Sequence, residues 1–232
     1  MIEVVPAILP KSWDELVEEV ERVRPFAKSV QIDIVDGHFA KGKTWPYKDR
    51  DTFDTIIKQE HGLPHWEEVD FEFDLMINDP AVEVKHYAHA GASRLVLHAA
   101  SPGVAAALNS LSEMREEGGE YTIKAGVALA AHAGPHDLEG LEQPDFVQVM
   151  GIEHEGRQGE PFDPDKRALF LIERLRRMYP TMPIQVDGGV RAENIKMLVD
   201  AGATRIIAGS AILKADDPQA AYQELVRLAN SQ

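Results

Sequence analysis

The amino-acid sequence predicts an α/β protein built as a closed (β/α)8 barrel, a single domain over residues 1–232. Three observations carry that expectation. Short β-branched runs alternate with amphipathic stretches eight times along the chain. The amphipathic stretches carry helix start and stop signals at their ends. Eight such units in 232 residues suit a closed barrel, and the first strand is not followed by the G-x-G-x-x-G turn of a dinucleotide-binding open sheet.

Taken in order, the strands are expected at Glu3–Leu9, Ser29–Val35, Phe71–Ile77, Arg94–Ala99, Thr122–Leu129, Phe146–Ile152, Ile184–Asp187 and Thr204–Ala208. Ser12-Trp13-Asp14-Glu15 reads as a capping box, with Trp13, Leu16, Val17, Val20 and Val23 on one helical face behind it. Asp79-Pro80, Ser101-Pro102, Asp163-Pro164 and Asp217-Pro218 each set a capping side chain before a proline at the first helical position. Gly91 and Gly202 close two helices, inside the matching runs Ala90-Gly91-Ala92-Ser93-Arg94 and Ala201-Gly202-Ala203-Thr204-Arg205.

Bulk properties exclude several classes. Hydrophobic residues at 44% and charged residues at 27% describe a folded globular chain. With no cysteine there is no disulfide framework, thiolate metal site or cysteine nucleophile. A net charge of −15 argues against nucleic acid and against anionic membrane surfaces as partners, while a small phosphorylated ligand needs only backbone N–H groups and a local cation. The N-terminal Met1-Ile2-Glu3-Val4-Val5 lacks a basic start, and no apolar run reaches the roughly 18 residues of a membrane span, so a cytoplasmic protein is expected. A homo-oligomer is left open.

Side chains alternate along a strand, so residues two apart share a face. Gln31 and Asp33, Glu72 and Asp74, and Gln185 and Asp187 therefore oppose apolar neighbours that suit the helical ring. The polar set must face the barrel axis, and the three aspartates lie toward the C-terminal mouth, where barrels of this kind place active sites. A lone aspartate there is commonly a turn or a cap. Three converging on one mouth need a cation, shared protons, or both.

Over essentially its whole length the sequence resembles the ribulose-phosphate 3-epimerase family. Gln31 through Phe39 is similar to that family's H-x-D-x-M-D-G-H-F, and Asp74-Leu75-Met76-Ile77 stands where it has H-L-M-I. Leu95-Val96-Leu97-His98, Gly126-Val127-Ala128-Leu129 and Met150 resemble its strands four to six. Val186-Asp187-Gly188-Gly189 and Ala208-Gly209-Ser210-Ala211-Ile212 match its two phosphate motifs. The resemblance implies a TIM barrel of the ribulose-phosphate-binding type and an isomerase: a phosphosugar 3-epimerase of carbohydrate metabolism and the pentose phosphate pathway. Asp33 and Asp187 would be its acid and base, working through an enediolate. It further implies Met76 and Met150 as an apolar cap, His98 as a pocket residue, and Gly159, Gly188, Gly189, Gly209 and Ser210 as phosphate contacts.

The sequence departs from that pattern at the metal. The family uses two histidines and two aspartates, whereas this chain offers Gln31, Asp33, Asp74 and Asp187. An all-oxygen set favours Mg²⁺ or Mn²⁺ over Zn²⁺, and the alternative is no metal, with protons shared among the carboxylates. The family's serine in P-S-I-L is Ala7, and its P-G-F-G-G-Q lid has become His154 through Phe162. Arg157 in that loop is either a phosphate contact or a solvated charge. His132 is a further candidate at the mouth, and His38 is expected to brace the loop after strand two. Ala40 through Pro46 replaces a shorter V-P-N. Competing readings are a phosphosugar-binding barrel without turnover and a lyase or decarboxylase, the latter lacking the D-x-K-x-x-D strand it would need.

Overall fold

The protein is described here by a computed structural model covering residues 1–116, 123–163 and 165–231. The eight strands are β1 (Glu3–Ile8), β2 (Ser29–Val35), β3 (Asp70–Met76), β4 (Ala92–His98), β5 (Lys124–Leu129), β6 (Phe146–Met150), β7 (Ile184–Asp187) and β8 (Arg205–Ala208). Each pairs in parallel with its sequence neighbours, and β8 returns to β1 to close the barrel. The expected strands are all present. Several end earlier than expected, at Ile8, Met76, His98 and Met150. Thr122, the expected start of β5, lies outside the described residues.

The helices are α1 (Trp13–Val23), α2 (Asp51–Ile57), α3 (Pro80–His89), α4 (Val104–Glu116), α5 (Arg167–Met178), α6 (Ile195–Ala201), α7 (Ser210–Leu213) and α8 (Pro218–Ala229). None among the described residues is long and apolar enough to cross a membrane. The strict eightfold alternation breaks between β5 and β6, where only a 3-10 turn at Pro135–Leu138 intervenes. Gly134, Pro135, Gly140 and Pro144 crowd that connection and deny it a helix.

Helix starts show which capping signals act. Asp79 accepts from Ala81 N–H and Asp217 from Ala220 N–H, each ahead of its proline, as expected. Ser12 accepts from Glu15 N–H, but the Glu15 carboxylate takes Lys11 N–H, one residue before a true capping box. Ser101 caps nothing: its hydroxyl donates to the Ile77 carbonyl at 2.8 Å and ties α4's approach to β3. The Asp163 carboxylate accepts from Ala168 N–H, while α5 begins only at Arg167. Its neighbour Pro164 lies outside the described residues.

Burial divides into separate layers. The outward faces of the strands (Ile32 and Ile34, Phe71 and Phe73, Val147 and Val149) join Leu16, Val20, Tyr87 and Leu175 of the helices in one apolar core. Inside the barrel, two small clusters stand apart from it: Val96, Ala128, Phe146 and Met150, and Val5, Ala7 and Ile207. Gly126 has no side chain because the Phe146 ring occupies that space. The rest of the interior is polar, which decides where the chemistry can be.

Candidate active site

The interior polar groups form two tiers. At the N-terminal floor, Glu72 accepts from Arg94 Nε at 2.5 Å, from Arg205 at 2.6 Å and from Gln185 Nε2 at 2.6 Å. The two arginines come from the matching Ala-Gly-Ala-Ser/Thr-Arg runs. In each run the hydroxyl binds the carbonyl at the start of the preceding strand, Ser93 to Phe71 and Thr204 to Ile184, so the likeness is one of construction. Arg94 also lies over the Phe146 ring, 3.9 Å from its centre.

At the mouth, register places Asp33 of β2 level with Asp74 of β3, and Met150 of β6 level with Asp187 of β7. Asp33, Asp74 and Asp187 offer carboxylate oxygens within 4.8 Å of one another, all buried. The three aspartates singled out from the sequence are therefore brought together. Burial above all, and then the charges of Asp187 and Asp74, push the Asp33 carboxyl well above the usual range. Burial and the Asp74 charge raise Asp187 to about 7, against the pull of a Gln31 hydrogen bond and of His98. Carboxylates this close cannot all ionise in a desolvated site, so the mouth holds protons or a cation.

A relay of amides joins the tiers. Arg205 and Arg94 donate to Gln185 Oε1 at 2.6 and 3.3 Å, which turns its Nε2 toward Gln31 Oε1 and Gln148 Oε1 at 3.3 and 2.6 Å. Gln31 must then present its NH₂ upward, to Asp33 at 2.9 Å and Asp187 at 3.1 Å. Gln148 does the same to Asp74 at 2.7 Å. An arginine has no acceptor to offer, so the floor dictates every amide orientation above it. In this arrangement the Gln31 oxygen faces the floor and its nitrogen faces the carboxylates, whereas the expected ligation of a metal by Gln31 would need the opposite orientation.

His98 also differs from expectation. It does not line the cavity: it is buried beside the Phe39 ring, with Nε2 2.9 Å from Asp74 Oδ1. Burial opposes its protonation, but the Asp74 charge and hydrogen bond outweigh that and raise its pKa. His132 is placed in a separate surface groove with Arg167 and Phe170. His38 is exposed. Asp36 braces that loop instead, accepting from the N–H groups of His38, Phe39 and Asn78.

Above the carboxylates lies a cavity of ≈ 40 Å³ whose lining includes Asp33, Asp187, Met76, Met150 and Ala7. Gly188, Gly189, Gly209, Ser210 and Gly159 line it too, so the residues expected to contact phosphate share one wall space. Gly188 and Gly189 both have positive φ, at 98° and 67°, and a β-carbon on Gly189 would strike the backbone of Phe162. The strap 153–160 contributes Gly156, Arg157, Gln158 and Gly159 to the lining. Gln158 donates from it to the Ala7 carbonyl at 3.1 Å, and the Glu160 carboxylate gathers Glu153 and His154 N–H.

Gln148 escaped the sequence reading, although period-two alternation within Phe146-Val147-Gln148-Val149-Met150 puts it on the axial face. As donors, the three carboxylates suit a hard divalent cation, their close oxygens being a natural hard-ion set.

The chain matches the Ribulose-phosphate 3 epimerase family over residues 3–213. It is similar to the ribulose-phosphate 3-epimerase of Bacillus subtilis (strain 168), 29% identical over 233 residues, covering 97% of this chain and 98% of that one. The ribulose-phosphate 3-epimerase of Schizosaccharomyces pombe is 28% identical over 218 residues, covering 93% and 89%. Among solved structures, 3-hexulose-6-phosphate synthase from Salmonella typhimurium superposes with a TM-score of 0.66 at 17% identity, over 98% of each chain. That likeness concerns the barrel alone.

Proposed function

This chain belongs to the ribulose-phosphate 3-epimerase family, and from that premise we propose that it is an isomerase inverting the carbon beside the carbonyl of a ketose phosphate, such as ribulose 5-phosphate. The observation that carries the reading is the buried approach of Asp33 and Asp187 from β2 and β7, bridged by the Gln31 amide. Inversion requires an ionised group on one face of the carbon and a protonated one on the other. Raised carboxyls sharing too few protons are in that condition. One takes the proton, the substrate passes through an enediolate, and the other returns a proton to the opposite face. Met76 and Met150 keep water from the intermediate, while Gly159, Gly188, Gly189, Gly209 and Ser210 hold the phosphate.

Asp33, Asp74 and Asp187 would hold a divalent cation, Mg²⁺ or Mn²⁺ in preference to Zn²⁺, which when bound supplies Lewis-acid stabilisation of the enediolate charge. The orientation of Gln31 and Gln148 favours a second reading. Their N–H groups already face the carboxylates, and His98 already balances Asp74, so protons alone can satisfy the mouth. Metal analysis of the purified protein, with turnover measured before and after chelation, separates the two.

The test of function is solvent deuterium incorporation beside the carbonyl of ribulose 5-phosphate or xylulose 5-phosphate. Exchange at that carbon is the expected outcome. Absence of exchange with every pentulose and hexulose phosphate tried, despite measurable binding, leaves a phosphosugar-binding barrel without turnover.

A further inference from the structure

The glycine loops that line the phosphate end of the cavity provide N–H groups but no net charge. A phosphate monoester brings roughly −1.5 to −2 charges at neutral pH. It would enter a chain of net charge −15, above three buried aspartates. Backbone dipoles alone face that field unaided, and a local cation is the economical remedy.

Two cations stand near this end of the cavity, Arg157 in its lining and Lys214 outside the lining beside Gly159. Lys214 follows α7, and its Nζ lies 3.5 Å from the point a β-carbon on Gly159 would occupy. Ser210 Oγ lies 4.0 Å from that same point, so ammonium, hydroxyl and strap glycine converge. Arg157 lines the cavity from the strap, two residues before Gly159. Both side chains are on exposed residues, and among the described residues neither forms an ion pair. The other strap contacts, Gln158 on Ala7 and Glu160 on Glu153 and His154, engage neither cation.

We propose that Lys214 and Arg157 form a cationic clamp on the substrate's phosphate, adding charge to a site that the glycine loops supply with N–H groups alone. The clamp rests on the epimerase reading and deepens it at the phosphate end. Lys214 stands on the barrel and Arg157 on the strap, so a bound dianion would tie the two together across the opening.

The test compares Lys214→Ala, Lys214→Arg and Arg157→Ala with the wild type, reading KM and kcat for ribulose 5-phosphate and the Kd of inorganic phosphate by calorimetry. Loss of a charged hydrogen bond predicts that Lys214→Ala raises KM and phosphate Kd about 10- to 100-fold. Turnover at saturation should move far less, since the contact is made equally before and during the chemical step. Arg157→Ala should shift both constants in the same direction by a smaller factor, and Lys214→Arg should recover most of the affinity. Epimerisation with KM and phosphate affinity unchanged in both alanine variants overturns the clamp alone. If the wild type exchanges no proton with any ketose phosphate while Lys214→Ala still weakens phosphate binding, the epimerase reading falls and the clamp stands.

Discussion

The floor and the mouth of the barrel are both buried and both polar, yet they are built to opposite ends. On the floor, Arg94 and Arg205 meet Glu72 and Glu3, and every carboxylate oxygen of Glu72 has a donor. At the mouth, three aspartates face one histidine and two amide donors. The same strands carry both tiers, and β3 supplies Glu72 to one and Asp74 to the other. Polarity inside a barrel is therefore not in itself a sign of chemistry. Charge left unbalanced is, because a folded protein retains such strain only where something else makes use of it.

The largest effect expected from breaking this contrast is at the mouth. Asp187→Asn should lower kcat by about 10²- to 10⁴-fold, the worth of a positioned acid or base. Thermal melting should show the variant as stable as the wild type or more so, since a repulsive charge is gone. A variant that unfolds instead would make Asp187 a structural group like Glu72. Arg205→Met should do the reverse. It takes one of two arginines from Glu72, which keeps Arg94 and Gln185, and it leaves the half-exposed Glu3 without its arginine, so the loss should stay below the about 3–5 kcal/mol of a buried pair broken outright, to be read from urea unfolding. Turnover per folded molecule should change far less than in Asp187→Asn.

Gln185→Leu cuts the relay between the tiers. Gln31, Gln148 and Glu72 each lose a donor, so stability should fall by about 1–3 kcal/mol. With their orientation released, Gln31 and Gln148 should also hold the aspartates less well, and kcat should drop together with the unfolding midpoint. Stability lost with kcat retained would show the two tiers to be independent.

A further effect is in pH. Because Asp187 is raised to about 7, its native carboxyl binds more protons than the unfolded chain does between about pH 4 and pH 7. Below that window both states are protonated and the stabilising difference is fully present. As pH rises through it, the unfolded chain ionises first and native stability is lost, levelling off above the native value. Asp187→Asn removes this loss. With chelator present, its melting temperature relative to the wild type should climb across the window, at roughly 2–4 °C per kcal/mol in a chain of this size. A flat difference would mean the mouth is no more strained than the floor.

Much of the contrast was legible in the sequence. Two-residue alternation in β2, β3 and β7 is enough to mark Gln31, Asp33, Glu72, Asp74, Gln185 and Asp187 as axial residues. Gln148 follows the same rule but is flanked by Phe146 and Met150, so β6 reads as an apolar run. The repeated Ala-Gly-Ala-Ser/Thr-Arg run was visible, but not that both arginines reach one glutamate, because strands four and eight meet only across the barrel.

By itself, then, the sequence determined the barrel, the faces of its strands and the three carboxylates at its mouth, since all of these follow from periodicity within single elements. Only the tertiary structure decided that Gln31 offers nitrogen instead of oxygen, that His98 stands behind Asp74 and outside the cavity, and that Lys214 meets Gly159. Which end of an amide faces a carboxylate depends on the donors behind it. Here those donors come from strands distant in the chain, and no local pattern encodes their meeting.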